Sequence, residues 1–350
     1  MHIIFTGGGS GGHVVPNIAI IERLRALDSR MNILYIGSRD GIERRITESI
    51  PVPYCAIATG KLRRYFSWQT PLDIGNVCIG IVQSIITLHR HRADVVFSKG
   101  GYVSLPVTLA AWILRIPVVI HESDIHPGFA NRIAAHFAKI VCVASEKTQK
   151  YFPKAQTIVT GIPIRSDLDH GNPERARSMT SLHENIPTIL FVGGGNGDPF
   201  INELASSMQS QLVKNFQIIH LLGSETLSSA LSSHRYTASP FADAMNDLYA
   251  LADVVITRAG ATTLAELAHL GKHAILIPMP RGCSRGEQIE NAKIFANSHQ
   301  ASTLQESECT PDALVAAIAM MHSTTPTPPE QNIAAHTIAT LLLSYEHPPR

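Results

Sequence analysis

The chain has 350 residues, more than a single hydrophobic core usually serves, so two domains are expected. Its 29 basic and 28 acidic residues balance to a net charge of +1, which excludes a general electrostatic attraction to nucleic acid. Five scattered cysteines without a C-x-x-C pair exclude a disulfide framework and a zinc site of the usual spacing, and they indicate a reducing compartment.

The N-terminus lacks the pattern of a secretory signal, in which a basic segment precedes an apolar one. Polar residues interrupt the longest apolar stretches before they reach the ~20 residues that span a bilayer. We therefore expect a cytosolic protein that is able to lie on a membrane surface.

The first half of the chain alternates between Val- and Ile-rich runs and segments with helical spacing. The runs do not alternate apolar with polar residues, which is typical of strands buried on both faces of a parallel sheet. Their alternation with helices predicts a doubly wound sheet, whose ligands bind at the carboxyl ends of the strands. The predicted strands of this half are His2–Thr6, Asn32–Gly37, Tyr54–Ala58, Val95–Ser98, Val118–His121, Ile140–Ala144 and Thr157–Thr160.

The pattern pauses at Gly161–Arg165, and the polar segment 167–185 is interpreted as a linker or a surface insertion. It then restarts, and the first strand of the second half runs into the glycine-rich turn Gly193–Gly197. Two similar halves predict an α/β protein with two Rossmann-like, doubly wound parallel sheets facing a cleft. The later elements predicted are strands Thr188–Val192, Phe216–Leu221, Tyr236–Ser239, Val254–Thr257, Ala274–Ile277 and Ala301–Leu304, and a final helix Ile333–Leu343.

The turn after the first strand, Gly7–His13, is rich in glycine. Glycines let backbone N–H groups approach an anion, and the start of the following helix adds the positive end of its dipole. The turn is not a P-loop, since no Gly-Lys-Ser/Thr follows. It fits a dinucleotide fingerprint only loosely, because Gly37–Asp40 stands where an acidic residue is expected, so NAD is not favoured. A seat for a phosphate or a charged sugar and a purely structural turn are the two alternatives.

His13 lies at the helix start beside this turn. A neutral imidazole there suits a general base toward a hydroxyl, and the alternative is a histidine that caps the helix. Two further polar stretches, Gly100–Ser104 and His121–Asp124, follow strands at the same predicted sheet edge. Each suits substrate binding or an ordinary strand-end turn, and their common edge favours binding.

In the second half, Arg258–Glu266 follows a buried strand and opens a helix. The backbone N–H groups of Ala261–Thr263 are predicted to hold an anion. Glu266 lies about one turn further on, where a carboxylate accepts hydrogen bonds from two ribose hydroxyls. The alternative is an ordinary acidic residue in the first helical turn. Gln288, in the next helix, is a donor and acceptor for sugar hydroxyls.

The segment 61–92 combines a basic and aromatic stretch, Lys61–Trp68, with the apolar stretch Val77–Leu88 and the basic end His89–Arg92. This combination predicts a patch that places apolar groups among lipid headgroups and cations on anionic lipid. The alternative is a core helix with a solvated basic end. RNA binding is less favoured, since no nucleic-acid motif accompanies the charge.

These motifs, in this order, resemble the MurG family, whose members are UDP-N-acetylglucosamine–lipid I N-acetylglucosaminyltransferases of peptidoglycan synthesis. The resemblance covers most of the chain, and several independent motifs in order are far more specific than any one of them. It rests on Gly8–His13, Gly100–Ser104 with Pro106, His121–Asp124, Gly161–Arg165, the turn at 193–197, Ala259–Glu266, and Gln288 with Asn291-Ala292.

The resemblance implies a GT-B fold in which residues 1–162 form the acceptor- and membrane-facing domain and residues 163–350 bind UDP-GlcNAc. The last helix, at about 331–344, would pack back on the N-terminal domain. His13 would be the catalytic base, Glu266 would hold the ribose and Arg165 would lie near the diphosphate. The other implied substrate-binding residues are Ser10, Gly11 and Gly12 in the loop facing donor and acceptor, Asp124 and Gln288 at the GlcNAc, Gly195 and Asn196 in the second glycine turn, Ala242 at the uracil, and Ala261, Thr262, Thr263, Leu264 and Ala265 around phosphate and ribose.

The chain departs from the family's pattern at several of these positions. The family commonly has His-Glu-Gln-Asn at His121–Asp124, so a carboxylate stands where an amide is usual. Its Gly-Gly-Ser-Gln-Gly loop is Gly193–Gly197 here, its Gly-Asn-Pro is Gly161–Pro163, and its Gln-Gln pair is Glu287-Gln288. These changes concern details of donor and acceptor binding and leave the predicted fold as it stands.

The resemblance implies an inverting transfer of GlcNAc from UDP-GlcNAc to the C4 hydroxyl of the MurNAc unit of lipid I, giving lipid II. The expected location is the cytoplasmic face of the cell membrane, as a peripheral protein. No cofactor and no metal are expected, because His, Asp and Glu do not cluster with ligand spacing. Helix N-termini and Arg165 would stabilise the UDP charge instead.

The expected partners are UDP-GlcNAc, the lipid I acceptor and an anionic membrane surface reached through the 61–92 segment, with other cell-wall enzymes as further candidates. No nucleic-acid partner is expected. Three alternatives stay open at this point: another GT-B enzyme with a different lipid or sugar acceptor, a nicotinamide-dependent oxidoreductase, and a non-catalytic sugar-nucleotide-binding protein.

Overall fold

The computed structural model describes residues 1–48, 50–60, 70–223, 234–240, 244–282, 286–299, 301–325 and 327–345. The chain forms two compact units. Unit 1 comprises Met1–Arg165 together with Asn332–Arg350, and unit 2 comprises Ser166–Gln331. Each unit is built on one parallel β-sheet, so the predicted α/β class with two parallel sheets is confirmed.

Unit 1 contains a seven-stranded sheet in the order β3-β2-β1-β4-β5-β6-β7. Every pairing in it is parallel. The strand order reverses between β1 and β4, and ligands of open α/β sheets bind beside such a switch point. The strands are β1 (His2–Thr6), β2 (Asn32–Ser38), β3 (Tyr54–Ile57), β4 (Val95–Ser98), β5 (Val118–Glu122), β6 (Ile140–Val143) and β7 (Thr157–Val159).

Helices cover both faces of this sheet. Successive strand residues point to opposite faces, so each strand contributes side chains to two separate cores. Ile3 and Phe5 of β1 belong to one core cluster, and Ile4 between them belongs to another. A short 3-10 helix, Gly11–His13, precedes the first α-helix. The helices of unit 1 are α1 (Val15–Leu27), α2 (Ile42–Thr47), α3 (Thr70–Arg90), α4 (Ser104–Ile113), α5 (Phe129–Ala134), α6 (Glu146–Gln149) and, at the end of the chain, α13 (Ala334–Leu343).

Unit 2 repeats the arrangement with a six-stranded parallel sheet in the order β10-β9-β8-β11-β12-β13, whose switch point lies between β8 and β11. Its strands are β8 (Thr188–Val192), β9 (Gln217–Leu221), β10 (Tyr236–Ser239), β11 (Val254–Thr257), β12 (His273–Leu276) and β13 (Ala301–Thr303). Its helices are α7 (Pro173–Thr180), α8 (Pro199–Leu212), α9 (Met245–Leu251), α10 (Ala261–Leu270), α11 (Glu287–Ser298) and α12 (Pro311–Ser323), with 3-10 helices at Ser166–His170 and Glu306–Glu308.

All the strands expected from the sequence are present, with ends that agree to within one residue. The polar segment 167–185 is the element that differs, because it contains helix α7 where a linker or insertion was expected. Asn172 caps this helix by accepting from the N–H groups of Glu174 and Arg175. The Arg175 guanidinium pairs with Asp247 of α9 at 2.7 Å. A polar helix held by a cap and an ion pair shows little hydrophobic periodicity, which explains why the pattern missed it.

Helix α3 is long and apolar enough, by length and composition over Pro71–Arg90, to cross a membrane. The expectation that polar residues keep every apolar stretch short of a spanning length is therefore wrong for this helix. One side of it packs on unit 1: Ser84 and Leu88 are fully buried, and the Gln83 side chain accepts a hydrogen bond from the Ala58 N–H at 2.7 Å. Its other side is exposed.

The C-terminal helix α13 is part of unit 1 rather than of the unit that precedes it in sequence. Ile338, Ala339 and Leu342 are fully buried in the same core cluster as Ile18 and Leu24 of α1. The Asn332 side chain, just before the helix, donates to the Ile162 carbonyl at 2.9 Å. The chain therefore closes the core of its first unit with its last helix.

Replacing Leu342 by Ala should lower the stability of unit 1 by about 2–5 kcal/mol, because the removed atoms leave a cavity in a close-packed core. Urea unfolding followed by fluorescence or circular dichroism measures this change. Thr340→Ala, at an exposed position of the same helix, is the matched control and should alter stability by less than about 0.5 kcal/mol. Equal stability of the two variants would contradict the packing described here.

Candidate functional site

The turn after β1 is folded so tightly that glycine is required in it. Gly9 has a φ of +87°, and a Cβ there would lie 2.8 Å from the Tyr102 ring. A Cβ on Gly8 would lie 2.5 Å from the carboxyl carbon of Glu43. The Tyr35 hydroxyl donates to the Gly7 carbonyl at 2.7 Å and thereby fixes where the turn leaves the strand.

The Glu43 side chain stabilises this turn through hydrogen bonds. It is fully buried in the first turn of α2. Its carboxylate accepts hydrogen bonds from the Gly9 N–H at 3.1 Å, from the Ser38 N–H at 3.0 Å and from the Ser38 hydroxyl. Charge-assisted bonds of this kind are stronger than neutral ones, so one carboxylate ties the first glycine turn to the end of β2.

Sequence reasoning missed Glu43, although a signal was present. In a dinucleotide-binding fold an acidic residue after the second strand binds a ribose. Here the first acidic side chain beyond the Gly37–Asp40 stretch is Glu43, and its acceptor oxygens are occupied by the protein's own N–H and O–H groups. A carboxylate whose oxygens are engaged in this way is not available to ribose hydroxyls. This weakens the alternative that the chain is a nicotinamide-dependent oxidoreductase.

Ser10 and His13 come together at the far end of the turn. The Ser10 Oγ lies 2.9 Å from the His13 Nδ1 across the 3-10 helix, and both residues are half-buried. A neutral imidazole has one N–H and one lone pair. When Nδ1–H donates to the Ser10 oxygen, the lone pair is on Nε2, which is the tautomer that a general base needs. The contact with Ser10 orients the His13 ring and is compatible with this tautomer.

The turn after β4 packs directly on the first glycine turn. The Gly8 N–H donates to the Gly100 carbonyl at 3.3 Å. Gly101 has a φ of +81°, and a Cβ there would collide with the Gly8 carbonyl and lie 3.2 Å from the His13 Nδ1. The stretches Gly7–His13 and Gly100–Ser104, predicted to share a sheet edge, thus lie in contact beside the switch point of unit 1.

The stretch after β5 divides into structural and accessible residues. His121 is fully buried, and its Nε2 lies 2.8 Å from the Gly161 carbonyl. Burial, reinforced by the nearby Lys99 charge, holds the pKa of His121 well below its usual value, so the ring is neutral. Ser123 and Asp124 are half-buried at the strand end, as is Arg165 further along the chain. His121 therefore serves the fold, and the adjacent Ser123 and Asp124 remain candidates for binding.

The second glycine turn, after β8, is shaped by two left-handed glycines, Gly194 with φ +94° and Gly197 with φ +79°. The Gly197 N–H donates to the Gly194 carbonyl at 3.0 Å, which closes the turn. Gly195 is half-buried and Asn196 is exposed at its tip. Asp198 ends the turn and caps α8 by accepting from the Ile201 N–H at 3.0 Å.

Arg258, at the end of β11, ties the loops of unit 2 together. It is only 6% exposed. Its guanidinium donates to Asp198 at 2.8 Å, to Glu306 at 2.6 Å and to the Ile277 carbonyl at 3.0 Å. These partners lie after β8, after β13 and after β12. Sequence reasoning included Arg258 only as the first residue of a motif, because nothing in a sequence indicates which distant carboxylates a buried guanidinium meets.

Helix α10 begins beside these loops with no side chain capping its N-terminus. Ala261, Thr262, Thr263 and Ala265 are half-buried, and Leu264 is buried. Unpaired N–H groups at a helix start, with the positive end of the dipole, form an anion-binding arrangement. Glu266 is 6% exposed, and its carboxylate accepts from the Tyr249 hydroxyl at 3.0 Å, which fixes its direction.

Gln288 and Ala242 complete the predicted set. The side-chain carbonyl of Gln288 accepts from the Met279 N–H at 3.1 Å, so a sugar hydroxyl would meet its NH₂ group. Ala242 lies outside the described residues. The sequence also contains an Asp-x-Asp run, Asp167-Leu168-Asp169, in which Asp169 lies 2.7 Å from the His269 Nε2. Among the described residues, no group of three His, Cys, Asp or Glu side chains is arranged to hold a metal ion.

Two doubly wound units with glycine turns at their strand ends match the architecture of the GT-B class of nucleotide-sugar glycosyltransferases. Residues 3–143 match the glycosyltransferase family 28 N-terminal domain, and residues 188–342 match the glycosyltransferase family 28 C-terminal domain. The first matched range lies within unit 1, and the second covers most of unit 2 and continues into α13 of unit 1.

Two curated relatives carry the name UDP-N-acetylglucosamine--N-acetylmuramyl-(pentapeptide) pyrophosphoryl-undecaprenol N-acetylglucosamine transferase. The protein of Legionella pneumophila (strain Paris) is 42% identical over 90% of this chain and 87% of its own length. That of Geobacillus kaustophilus is 41% identical over 90% of this chain and 89% of its own. The crystal structure of Acinetobacter baumannii MurG matches with a TM-score of 0.66 at 25% identity, over 98% of this chain and 99% of that one. The chain belongs to the MurG family within glycosyltransferase family 28, so the resemblance seen in the sequence is confirmed.

The fold is also shared beyond this family. A UDP-GlcNAc 2-epimerase from Neisseria meningitidis, solved with UDP-GlcNAc bound, matches with a TM-score of 0.69 at 13% identity. It covers 98% of this chain and the whole of its own. At that identity the likeness concerns the fold alone, so the chemistry has to be argued from the residues of this chain.

Glu43→Gln should loosen the first glycine turn, since it replaces one acceptor oxygen by an NH₂ group facing the N–H groups of Gly9 and Ser38. The loss of one buried charged hydrogen bond corresponds to about 1–3 kcal/mol of local stability. Hydrogen exchange of residues 7–13, measured by mass spectrometry, should accelerate at least about tenfold. Glu48→Gln, exposed at the end of the same helix, is the control. Equal exchange in the two variants would show that Glu43 does not hold the turn.

Proposed function

We propose that the chain is an inverting N-acetylglucosaminyltransferase that moves GlcNAc from UDP-GlcNAc to the C4 hydroxyl of MurNAc in lipid I, giving lipid II. The observation that carries this proposal is the agreement of relatives that share 40–42% identity over about nine-tenths of the chain and are all named for this reaction. The chemistry of the two strand-end clusters supports it.

The donor is assigned to unit 2. A nucleoside diphosphate brings negative charge, and the uncapped start of α10 together with the turn Gly193–Gly197 offers backbone N–H groups for it. Glu266 has its direction fixed by Tyr249, which suits a carboxylate that accepts from ribose hydroxyls. Donors held in place before the reaction stabilise the charge that develops on the departing diphosphate. Arg165 and Gln288 are proposed to assist at the diphosphate and the GlcNAc, and Ala242 at the uracil.

The attacking hydroxyl is assigned to unit 1, where Ser10, Gly11 and Gly12 form the loop beside His13. In the transfer, the acceptor oxygen forms a bond to the anomeric carbon of GlcNAc on the face opposite the diphosphate. The bond from that carbon to the diphosphate oxygen breaks, and UDP leaves with the electron pair. His13 takes the hydroxyl proton on Nε2, with Nδ1–H directed at the Ser10 oxygen 2.9 Å away.

His13→Ala should lower kcat by roughly 10²–10⁴-fold, the usual contribution of a general base, while the Kd for UDP stays close to that of the unchanged protein. The measurement is transfer of labelled GlcNAc to a lipid I analogue, with UDP-Glc and UDP-GalNAc as competing donors. His170→Ala, at an exposed position of unit 2, is the control and should retain full activity.

Three results would contradict parts of this proposal. An unchanged protein that binds UDP-GlcNAc but transfers nothing supports the non-catalytic alternative. Transfer to another lipid or sugar acceptor, but not to the lipid I analogue, supports a different GT-B enzyme. Tighter equilibrium binding of NAD than of UDP supports the oxidoreductase.

We also propose that the protein is peripheral to the cytoplasmic face of the membrane and that α3 contacts anionic lipid. Leu72, Ile79, Val82 and Ile86 recur at helical spacing along its exposed side, and Trp112 of the neighbouring α4 is exposed as well. The opposite side of α3 is packed on unit 1, so the helix suits lying in the interface rather than crossing it. The basic residues after its apolar part suit anionic headgroups. The stretch 61–69, part of the predicted patch, lies outside the described residues.

Ile79→Ser combined with Val82→Ser should reduce binding to vesicles containing phosphatidylglycerol at least about tenfold, since each side chain loses apolar burial of about 1.5–3 kcal/mol. Co-sedimentation at low and high salt measures the binding. Met179→Ser removes an equally exposed apolar side chain from unit 2 and is the control. Transfer to a water-soluble acceptor analogue should be unaffected, which separates lipid contact from catalysis.

A further inference from the structure

A lysine is buried at the strand ends of unit 1, and the reaction assigned above leaves it without a role. Lys99 follows β4 and is only 2% exposed. Its Nζ donates to the Ser123 Oγ at 2.8 Å. Since β4 and β5 are neighbours in the sheet, this hydrogen bond joins the loops that follow them. A buried ammonium is costly unless it is compensated, so its surroundings have to explain its presence.

The charges facing Lys99 are the carboxylates on either side of Ser123. Burial lowers the pKa of Lys99, and the charges of Glu122 and Asp124 oppose that effect. Glu122 is buried, and it accepts from the Asp124 N–H at 3.0 Å, from the Gly128 N–H at 2.9 Å and from the Asn131 side chain at 3.0 Å. Those bonds engage both of its oxygens in shaping the loop. Asp124 is the half-buried carboxylate of the two, and it is the one at the candidate site.

We propose that Lys99 is a positioning residue that sets how Asp124 meets the substrate sugar. Its hydrogen bond to Ser123 holds the loop after β5, and its charge compensates the carboxylate that this chain carries where an amide was expected. A carboxylate only accepts hydrogen bonds, so the Lys99–Ser123–Asp124 unit selects a sugar hydroxyl as the donor at this point. This inference rests on the proposed function and on the expectation, implied by the family resemblance, that Asp124 contacts the GlcNAc.

The proposal predicts that the two charges act as one unit. Lys99→Met, which keeps the length of the side chain, removes the buried cation that compensates Asp124. Asp124→Asn leaves the buried ammonium with Glu122 alone. The double variant removes both charges together, so it should lose less than the two single losses combined.

The test measures Kd for UDP-GlcNAc and for UDP by calorimetry, together with KM and kcat, in a double-mutant cycle. Each single variant should weaken UDP-GlcNAc binding and raise KM about tenfold. The loss of affinity in the double variant should be at least about threefold smaller than the product of the two single losses. Binding of UDP, which lacks the GlcNAc, should change less than about twofold in every variant. Lys139→Met, exposed before β6, is the matched control.

Additive losses in the cycle would overturn the proposal. So would stable variants that bind UDP-GlcNAc as the unchanged protein does, because Lys99 would then serve folding alone. If Lys99→Met does not fold, Ser123→Ala removes the acceptor of the Lys99 hydrogen bond, and an unchanged Kd for UDP-GlcNAc in that variant overturns the proposal as well.

The proposed function fails by a different result, which is absence of GlcNAc transfer by the unchanged protein. The binding arm of the cycle still decides the role of Lys99 in that case, since it requires no turnover.

Discussion

Glycine turns bring backbone amides close to an anion, but they have no side chains by which to hold their own shape. The structure depends on buried ionic side chains that supply this support from outside the turns. In unit 1 the Glu43 carboxylate accepts from the Gly9 N–H and from Ser38. In unit 2 the Arg258 guanidinium joins Asp198 to Glu306. Because a buried charge is stable only with its partners in place, each one fixes the separation of the strand ends it joins.

The two units use opposite charges for this purpose, and the difference suits the chemistry proposed for each. The Glu43 carboxylate accepts a hydrogen bond from the Gly9 N–H of the first glycine turn. Ser10 and His13, further along the same loop, form a polar pair with each other. Beside the second turn, the Arg258 guanidinium donates hydrogen bonds to two carboxylates and a backbone carbonyl instead. The N–H groups at the start of α10 are not engaged by the N-cap side chain, which is the condition for binding a diphosphate there.

Position in the sheet governs which motif residues are accessible. His121 and Glu122 end β5 and are buried, whereas Ser123 and Asp124, the next two residues, are half-buried. In this motif of four consecutive residues, the first two therefore support the fold and the last two belong to the candidate site. The same division separates the buried Leu264 from the half-buried residues around it at the start of α10. Identity within a motif does not by itself assign a role, because burial decides which groups a ligand is able to reach.

The sequence by itself determined the two parallel sheets, their strands and the glycine turns, because a strand buried on both faces and a turn that needs glycine are local patterns with few alternatives. It also placed His13 close to Ser10, since the two are only three residues apart. It missed helix α7, whose polar surface carries little hydrophobic periodicity.

Only the tertiary structure decided which partners the buried charges meet. Lys99 and its partner Ser123 are 24 residues apart in sequence, Glu43 and Gly9 are 34 apart, and Arg258 and Glu306 are 48 apart. No local pattern connects residues at such separations. A buried charge acquires its partner only when folding brings together the ends of the strands that precede the two groups, and that arrangement is a property of the folded sheet.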